Sequence, residues 1–217
     1  MRDLLADLID SARARAGYAD ARFVRSRVER LSTRNGTLDQ LDSRESEGIG
    51  VRVRVGGAWG FAAVRGTDRR DAEAALSRAL AIAEAQPAIP EETPLAPEPP
   101  AQGEWSSVVA RDPFEVPLEE KLAILLAADT GLRTEPGVNL TLARFSAFQT
   151  DKIFASTDGA LCEQRITECG GGIAAVAVDG ESQIRSYPAS HGGHVAQAEY
   201  EHFLALELPG HAPRVAS

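Results

Sequence analysis

Histidine is the residue from which a catalytic metal centre is most often built, and this sequence has four of them. They are His191, His194, His202 and His211. The first two form an H-x-x-H pattern whose middle residues are both glycine, which disfavours the helix that would aim two imidazoles at one metal. Neither H-E-x-x-H nor H-E-x-x-x-H, in which the glutamate serves a zinc peptidase as base, occurs. We interpret SHGGH as a solvated loop and predict no metal ligand in this chain.

The other nucleophile and phosphate-binding patterns are also missing. Cys162 and Cys169 lie an odd number of residues apart, so in one regular strand they point to opposite faces and act as ordinary thiols. There is no G-x-S-x-G elbow and no Walker A loop. The triple glycine 170–172 opens a predicted strand rather than a helix, so it predicts a bulge or a close approach of strands instead of a phosphate cradle. The sequence predicts no catalytic residue.

Three side chains are candidates for binding: Trp59, Arg185 and Tyr187. Trp59 follows a Gly-Gly pair, and RSYP (185–188) combines a cation, a hydroxyl and an aromatic ring at the end of a predicted strand. Such a set suits a groove for a peptide, because arginine holds carbonyl or carboxylate groups and aromatic rings cover apolar side chains. The alternative for Trp59 is packing in the core, and for RSYP it is packing at the end of the sheet.

Composition excludes several classes of protein. The chain has 217 residues, with 23 Lys+Arg against 32 Asp+Glu and a formal net charge of -9, so an acidic surface would repel phosphate and nucleic acid. Asp3, Asp7 and Asp10 interrupt the first apolar positions, which excludes a signal peptide. No run of about 18 apolar residues occurs, so no membrane span is predicted. With two cysteines and no disulfide framework, we predict a cytoplasmic protein.

The first half reads as a helix, a group of strands and a second helix. Apolar residues at helical spacing predict a helix over residues 4–16, with Asp3 as N-cap and Gly17 after its end. Alternation then predicts strands over 21–34, 37–43, 48–55 and 58–62. Asn35-Gly36 and Gly56-Gly57 are the predicted turns. Asp68 caps the second helix, whose apolar stripe is Ala72, Ala75, Leu76, Ala79, Leu80 and Ala83.

A proline-rich segment divides the chain. Residues 87–100 suit extended polyproline conformations, so we predict a semi-rigid linker at 87–111 between units 1–86 and 112–217; a recognition motif for a proline-binding domain is the alternative. Leucines at helical spacing after Pro117 predict a further helix. Further strands are predicted at about 138–149, 151–156, 161–168, 172–178 and 182–187.

The second half repeats the first at an offset of 123 residues. Gly36 and Gly159 correspond at this offset, and so do Val53 with Val176 and Val55 with Val178. The order of elements agrees as well, which favours duplication over chance. The predicted fold class is α+β, with two duplicated helix-plus-antiparallel-sheet units joined by the proline-rich linker, and the four valines are predicted to face inward.

Several segments, taken in order, resemble the TldD/PmbA family, formerly called modulators of DNA gyrase. They are SRESEGIGVRV (43–53), GAWGFA (57–62), DPFEVPLEEK (112–121) and RSYP (185–188), together with the Asn35-Gly36-x-Leu38 turn and Tyr200-Glu201. GAWGFA and RSYP are more similar to the TldD partner than to the PmbA (TldE) partner. The resemblance implies a zinc metallopeptidase that degrades unfolded peptides as a heterodimer. It places the catalytic H-E-x-x-x-H in the segment after the one seen here.

Two functions follow as expectations. The first is the N-terminal, non-catalytic portion of a TldD-like peptidase, inactive by itself, with zinc, a TldE/PmbA-like partner and an unfolded peptide implied for the complete protein. The second is a stand-alone interaction or peptide-binding module. Under the resemblance, the sequence is either a fragment or a short gene product that has lost the catalytic part. In the first case we expect sheet edges to pair with the peptide backbone. Trp59, Arg185 and Tyr187 are then predicted near the wall of a substrate channel.

Overall fold

The computed structural model describes residues 1–87, 94–96, 99–189 and 192–217, and within these ranges it confirms the predicted α+β class. The helices are α1 (Arg2–Ala12), α2 (Arg69–Glu84), α3 (Leu118–Leu132), α4 (Tyr200–Ala205) and α5 (Leu208–Ala216). The strands are β1 (Tyr18–Arg34), β2 (Thr37–Val55), β3 (Ala58–Val64), β4 (Gln102–Ser106), β5 (Val138–Ser156), β6 (Leu161–Asp179), β7 (Glu181–Tyr187) and β8 (His194–Ala196). No helix formed by the described residues is long and apolar enough to cross a membrane.

The strands form one sheet in the order β3-β2-β1-β5-β6-β4, and β7 and β8 also pair with β6. Three short strands thus share one edge of β6. β4 pairs in parallel with residues 161–165, while β8 and β7 pair antiparallel with residues 169–171 and 173–179. Between β4 and β8, the Thr167 amide donates to Ser107 Oγ at 3.1 Å. This edge of β6 is therefore covered along nearly all of its length.

Two turns join the strands of the first half as predicted. Asn35 and Gly36 have φ of 50° and 82°, and Gly56 and Gly57 have φ of 54° and 82°. Two successive positive φ values are typical of the two-residue hairpin turn that matches strand twist, and asparagine and glycine reach them at little cost. β2 continues through residues 44–47, where no strand was predicted. Its acids pair with β1 there, since Arg25 lies 3.4 Å from Glu45 and 2.6 Å from Glu47.

Contacts divide the chain into two compact units. Unit 1 comprises residues 1–26, 45–106 and 150–165, and unit 2 comprises residues 27–44, 107–149 and 166–217. The predicted boundaries, 1–86, 87–111 and 112–217, follow chain order and differ from this division. The reason is the length of β1, β2, β5 and β6, which have 17 or 19 residues each and contribute residues to both units.

Helices α1 and α2 cover one face of the strands of unit 1. The predicted apolar stripe of α2 is buried in full, and the Asp68 carboxylate caps the helix by accepting from the Asp71 amide at 2.8 Å. Val51 and Val53 of β2 point into the same core and are completely buried. Alternation along β2 leaves Gly50 and Arg52 on the opposite face. We call the face that carries α1 and α2 the helix face, and the other one the open face.

The core of unit 2 is built around aromatic rings. Phe145 of β5 meets Phe203 of α4 edge to face, with ring centroids 4.9 Å apart, and lies 6.2 Å from Tyr200. Leu125 and Leu132 of α3 are fully buried in the same cluster. A charged pair also lies in this unit. Lys121 of α3 is 1% exposed and donates to the Glu29 carboxylate of β1.

The ends of two elements differ from the prediction. Helix α1 begins at Arg2 and ends at Ala12, so Asp3 lies within its first turn rather than at the N-cap. Gly17 does not follow the helix directly, and its amide donates to the Arg54 carbonyl at 3.0 Å. β4 lies inside the predicted linker 87–111. All five of its residues are exposed, so it lacks the alternation by which a strand is recognised. Residues 88–93 and 97–98 of that linker lie outside the described residues.

The offset of 123 residues does not give equivalent positions in β6. Ile173 and Ala175 belong to the core of unit 2, and alternation places Val176 on the other face of the strand. Val178 is 56% exposed. The inward-facing valine pair predicted for β6 is therefore wrong. A physical reason is the period of two along a strand, because an offset that is wrong by one residue exchanges the buried and the exposed face. Duplication of the units remains a prediction.

Candidate functional site

The open face of unit 1 carries a cavity of about 610 Å³. Side chains from the uncovered face of β1, β2 and β3 line it. Phe61 of β3 is 61% exposed and stands over Gly50, where an added Cβ would lie 3.3 Å from the ring. Arg22 of β1 reaches the cavity from the other side and lies 5.4 Å from the centroid of the Phe154 ring. The cavity thus has apolar walls and a charged margin.

An ion pair anchors one end of this cavity. The Nε and Nη2 atoms of Arg52 donate to Asp20 Oδ2 at 2.8 and 2.6 Å. The Arg52 guanidinium also lies 4.9 Å from the centroid of the Trp59 ring. Since both its hydrogen bonds and its ring contact are made inside the chain, Arg52 is held in place. This arrangement can position a ligand but has no free base for proton transfer.

Tyr18 closes the same cluster. Its ring meets Trp59 edge to face, with centroids 5.8 Å apart at an interplanar angle of 73°. Burial, followed by the negative charge of Asp20, raises the pKa of Tyr18 to about 12. The phenol therefore stays protonated at neutral pH, and the cluster offers a hydroxyl donor rather than a phenolate.

Trp59 is partly accessible. It is 37% exposed and lines a second cavity of about 300 Å³ together with Leu95, Ala96 and Pro99 of the proline-rich segment. The Trp59 carbonyl accepts a hydrogen bond from Gln86 Nε2. The structure thus places this residue at the surface of unit 1, where its ring packs on Tyr18 and the two cations beside it. Its role in a channel is still a prediction.

Arg185 and Tyr187 belong to unit 2, where both lie on β7. They are two residues apart and so face the same side of the strand. Tyr187 stacks on His211 of α5 with ring centroids 3.8 Å apart, and it packs against the core of unit 2. Arg185 is exposed. Tyr187 therefore has the packing contacts of the alternative interpretation, and the channel role predicted for both residues is still a prediction.

A smaller cavity of about 240 Å³ lies on unit 2, lined by apolar side chains that include Leu140, Val176 and Ile184. Glycines shape it. A Cβ at Gly170 would lie 1.9 Å from the His194 carbonyl oxygen, and one at Gly172 would lie 2.4 Å from the Gly193 Cα. The triple glycine is therefore a place of close backbone approach, as predicted.

Two histidines meet where no sequence pattern indicated it. His194 of β8 and His202 of α4 are joined by an Nδ1···Nε2 hydrogen bond of 3.0 Å. Burial, together with the charge of His194, lowers the pKa of His202. His191, the other histidine of SHGGH, lies outside the described residues. No sequence motif places two histidines eight residues apart on two different elements. The pair is therefore visible only in the folded structure.

The donor set does not fit a zinc site in the part of the chain that the structure describes. No group of three or more His, Cys, Asp or Glu side chains is assembled there to hold a metal. Two imidazoles that bond to each other supply two donors, whereas a zinc ion in a peptidase takes three protein ligands. The thiol of Cys169 is buried, and burial raises its pKa to about 12, so it is neither a ligand nor a nucleophile at neutral pH.

We expect this chain, purified by itself and dialysed, to retain no stoichiometric zinc and to cleave no peptide. Metal analysis and a fluorescent unfolded-peptide assay measure the two properties. His194→Ala and His202→Ala serve as matched variants, with His211→Ala as the control outside the pair. One tightly held zinc per chain, lost in the first two variants and kept in the third, would contradict the expectation.

Comparison with known proteins now identifies the family. The profile of the PmbA/TldA metallopeptidase domain 1 matches residues 19–83, and that of the PmbA/TldA metallopeptidase central domain matches residues 111–210. A metalloprotease of Synechocystis sp. is 29% identical over 180 residues, which is 81% of this chain and 38% of that protein. A metalloprotease of Methanothermobacter thermautotrophicus is 25% identical over 178 residues, with 82% and 38% covered. The chain thus spans well under half the length of these relatives.

Solved structures show the same fold. A candidate modulator of a DNA gyrase from Thermotoga maritima MSB8 superposes with a TM-score of 0.73 at 18% identity, covering 99% of this chain and 47% of that one. TldE from Thermococcus kodakarensis superposes with a TM-score of 0.67 at 12% identity, covering 98% and 46%. The fold agrees with the two matched profiles, and the chain belongs to the TldD/PmbA family of metallopeptidases.

Proposed function

We propose that this chain is the N-terminal, non-catalytic portion of a TldD-like zinc metallopeptidase that degrades unfolded peptides together with a TldE/PmbA-like partner. The observation that carries the proposal is the match of two consecutive peptidase-family profiles, joined to a described structure that assembles no metal-binding group. The match covers 38% of each relative named metalloprotease, so most of the length of these relatives lies outside it. A catalytic segment can lie in that unmatched part.

The open face of unit 1 supports a binding role. Its cavity of about 610 Å³ is large enough for several side chains of a peptide, and Phe61 offers an exposed apolar wall. Of the ionic groups that line it, Asp20 and Arg52 neutralise each other, and Arg22 and Glu47 add one charge of each sign. Such a surface selects weakly among side chains, which suits a protease whose substrates are defined by being unfolded rather than by sequence.

The experiment that tests the proposal uses the complete reading frame, co-expressed with the partner subunit. We expect it to cleave an unstructured fluorescent peptide and to leave a folded protein of similar composition intact. Removal of metal by a chelator should abolish cleavage, and added zinc should restore it. Absence of cleavage by the metal-loaded complex would contradict the proposal and favour a stand-alone interaction module that keeps the scaffold.

The same assay tests two of the three predicted channel residues, Arg185 and Tyr187. Arg185 is exposed, so Arg185→Ala should raise KM for the peptide while metal content and thermal stability stay nearly unchanged. Tyr187→Ala also removes packing against α5, because Tyr187 stacks on His211. His211→Ala removes the other ring of this stack and serves as the control. KM and the melting temperature are compared between the two variants. A KM unchanged in Arg185→Ala would exclude Arg185 from the channel.

A further inference from the structure

Arg22 of β1 differs from the other charged residues around the 610 Å³ cavity on the open face of unit 1. It is exposed, and within the described ranges its side chain forms no ion pair and no hydrogen bond. By contrast, Arg25 lies 2.6 Å from Glu47, and Arg52 lies 2.6 Å from Asp20. The chain has a formal net charge of -9, so most of its cations have acids to pair with. An arginine left without a carboxylate at the margin of a cavity is available to an anion from outside.

An aromatic ring holds the Arg22 side chain in place. The guanidinium carbon lies 5.4 Å from the centroid of the Phe154 ring of β5, within the range of a cation–π contact. Such a contact uses the face of the ring and none of the five N–H donors of the guanidinium. Those donors form a planar fork that matches the two oxygens of a carboxylate. Arg22 is therefore positioned by its ring contact and keeps the groups with which arginine binds a carboxylate.

The cavity beside Arg22 offers space for an apolar group. Alternation along β2 directs the Glu47 side chain to the helix face, where Arg25 balances its charge. Gly48 and Gly50 line the cavity without a side chain, so part of its floor is backbone. The Phe61 ring stands over this floor and is 61% exposed. A ligand pocket typically combines apolar walls with a few polar groups that fix orientation, and Arg22 is such a group here.

The last residue of a peptide has the chemistry that this site fits. Its carboxylate and its side chain are attached to the same Cα, so the carboxylate can pair with Arg22 while the side chain enters the cavity. An aspartate or glutamate inside a peptide lacks this arrangement, because its carboxylate ends the side chain and leaves no apolar group beside it. A terminal carboxylate is also common to all peptides, which agrees with weak selection among side chains.

We propose that Arg22 binds the C-terminal carboxylate of an unfolded peptide, with the last side chain of that peptide in the 610 Å³ cavity against Phe61. The guanidinium fork donates to both carboxylate oxygens. This inference rests on the proposed function and names the end of the substrate that the chain holds. The complete peptidase then prefers peptides with a free C-terminus over peptides whose C-terminus is blocked.

Three peptides that differ in their carboxylate test the inference on this chain. Each is a short glycine–serine sequence that ends in leucine and carries a neutral fluorophore at its N-terminus, and binding is followed by fluorescence anisotropy. The first has a free C-terminus, the second ends in an amide, and the third ends in an amide and has a glutamate before the leucine. We expect the second and third to bind about tenfold more weakly than the first.

Each other outcome of this comparison counts against the anchor. Equal binding of the first and second peptides, or no binding of the first, would overturn the role of Arg22. Binding restored by the glutamate would show that the site takes any carboxylate, and the assignment to the end of the peptide would be wrong.

Arg22→Gln and Arg78→Gln form a matched pair of variants. Both remove one positive charge from an exposed arginine, but Arg78 lies on α2, which covers the helix face. We expect Arg22→Gln to bind the free-acid peptide about tenfold more weakly and the amide as before, and Arg78→Gln to change neither affinity. Equal affinity of both variants for the free acid would contradict the anchor. If circular dichroism shows that Arg22→Gln is unfolded, the three peptides on the unchanged chain decide.

The anchor and the proposed function can fail separately. Cleavage of the free-acid and amide peptides at equal rates by the complete complex would refute the anchor and leave the proposed function intact. Absence of cleavage, combined with tighter binding of the free acid by this chain, would refute the proposed function and leave Arg22 as the carboxylate site of a peptide-binding module.

Discussion

Replacing Glu29 by leucine is expected to lower the free energy of unfolding by about 3–5 kcal/mol, which would make it one of the most damaging single changes in the chain. Lys121 is 1% exposed and its ammonium donates to the Glu29 carboxylate. The ring of Phe145 lies 5.1 Å from Nζ, and the Cys169 thiol is close enough for the ammonium charge to act on it. Without Glu29, the ammonium must remain charged without its partner in a closed core, or it must lose its proton.

The reverse change should cost less. Lys121→Met removes the charge and keeps the length of the side chain, and the Glu29 that remains is 17% exposed, so water reaches it. We expect a loss of about 1–3 kcal/mol for this variant. The double variant Glu29→Leu/Lys121→Met leaves no unpaired charge and should be more stable than Glu29→Leu alone.

Urea denaturation followed by circular dichroism measures these differences through the midpoint and the slope. The double-mutant cycle then gives the coupling between the two side chains. If the two single changes are equally damaging and their effects add in the double variant, the pair does not act as a unit and the reasoning from burial fails.

Features that depend on neighbouring residues could be predicted from local patterns in the sequence. The turns at Asn35-Gly36 and Gly56-Gly57, the cap at Asp68 and the stripe of α2 were predicted correctly. Each depends on a backbone preference or a periodicity within a few residues, so its signal is contained in a short window.

Features that depend on residues far apart in the chain were not predicted. β4 is recognisable only through its parallel pairing with residues 161–165, which come more than fifty positions later. The helical spacing of the leucines after Pro117 gives no sign that Lys121 is buried, and its partner Glu29 belongs to a strand in the other half of the chain. The contact of His194 with His202 likewise requires β8 and α4 to be placed first. Tertiary position, which no short window contains, decides these cases.

Alternation also failed where it was transferred from the first half of the chain to the second at a fixed offset. The valines at 176 and 178 alternate as those at 53 and 55 do, and sequence matching could not tell which face is buried. Because side chains alternate with a period of two, an offset that is wrong by one residue places the opposite face of the strand inward. The same rule explains how β6 carries Ile173 and Ala175 in the core while Val178 is exposed.

Replacing Gly60 by alanine is expected to destabilise unit 1 by about 1–3 kcal/mol, because helix α2 lies directly on this strand. A Cβ at position 60 would lie 1.9 Å from the carbonyl oxygen of Ala79 and 2.8 Å from the amide nitrogen of Ala83. Both are backbone atoms, so no side chain can rotate away and the helix itself must move. This steric requirement is a physical reason for the second glycine of GAWGFA.

Gly103→Ala is the matched control in the same unit. Gly103 lies on the exposed strand β4, and an added Cβ there would meet no atom within 4 Å. Alanine reduces the freedom of the unfolded chain, so this variant should be unchanged or more stable by about 0.4–1 kcal/mol. Urea midpoints of the two variants are compared with that of the wild type. Equal stability of Gly60→Ala and the wild type would show that α2 shifts without cost, and the close packing of α2 on β3 would then not explain the glycine.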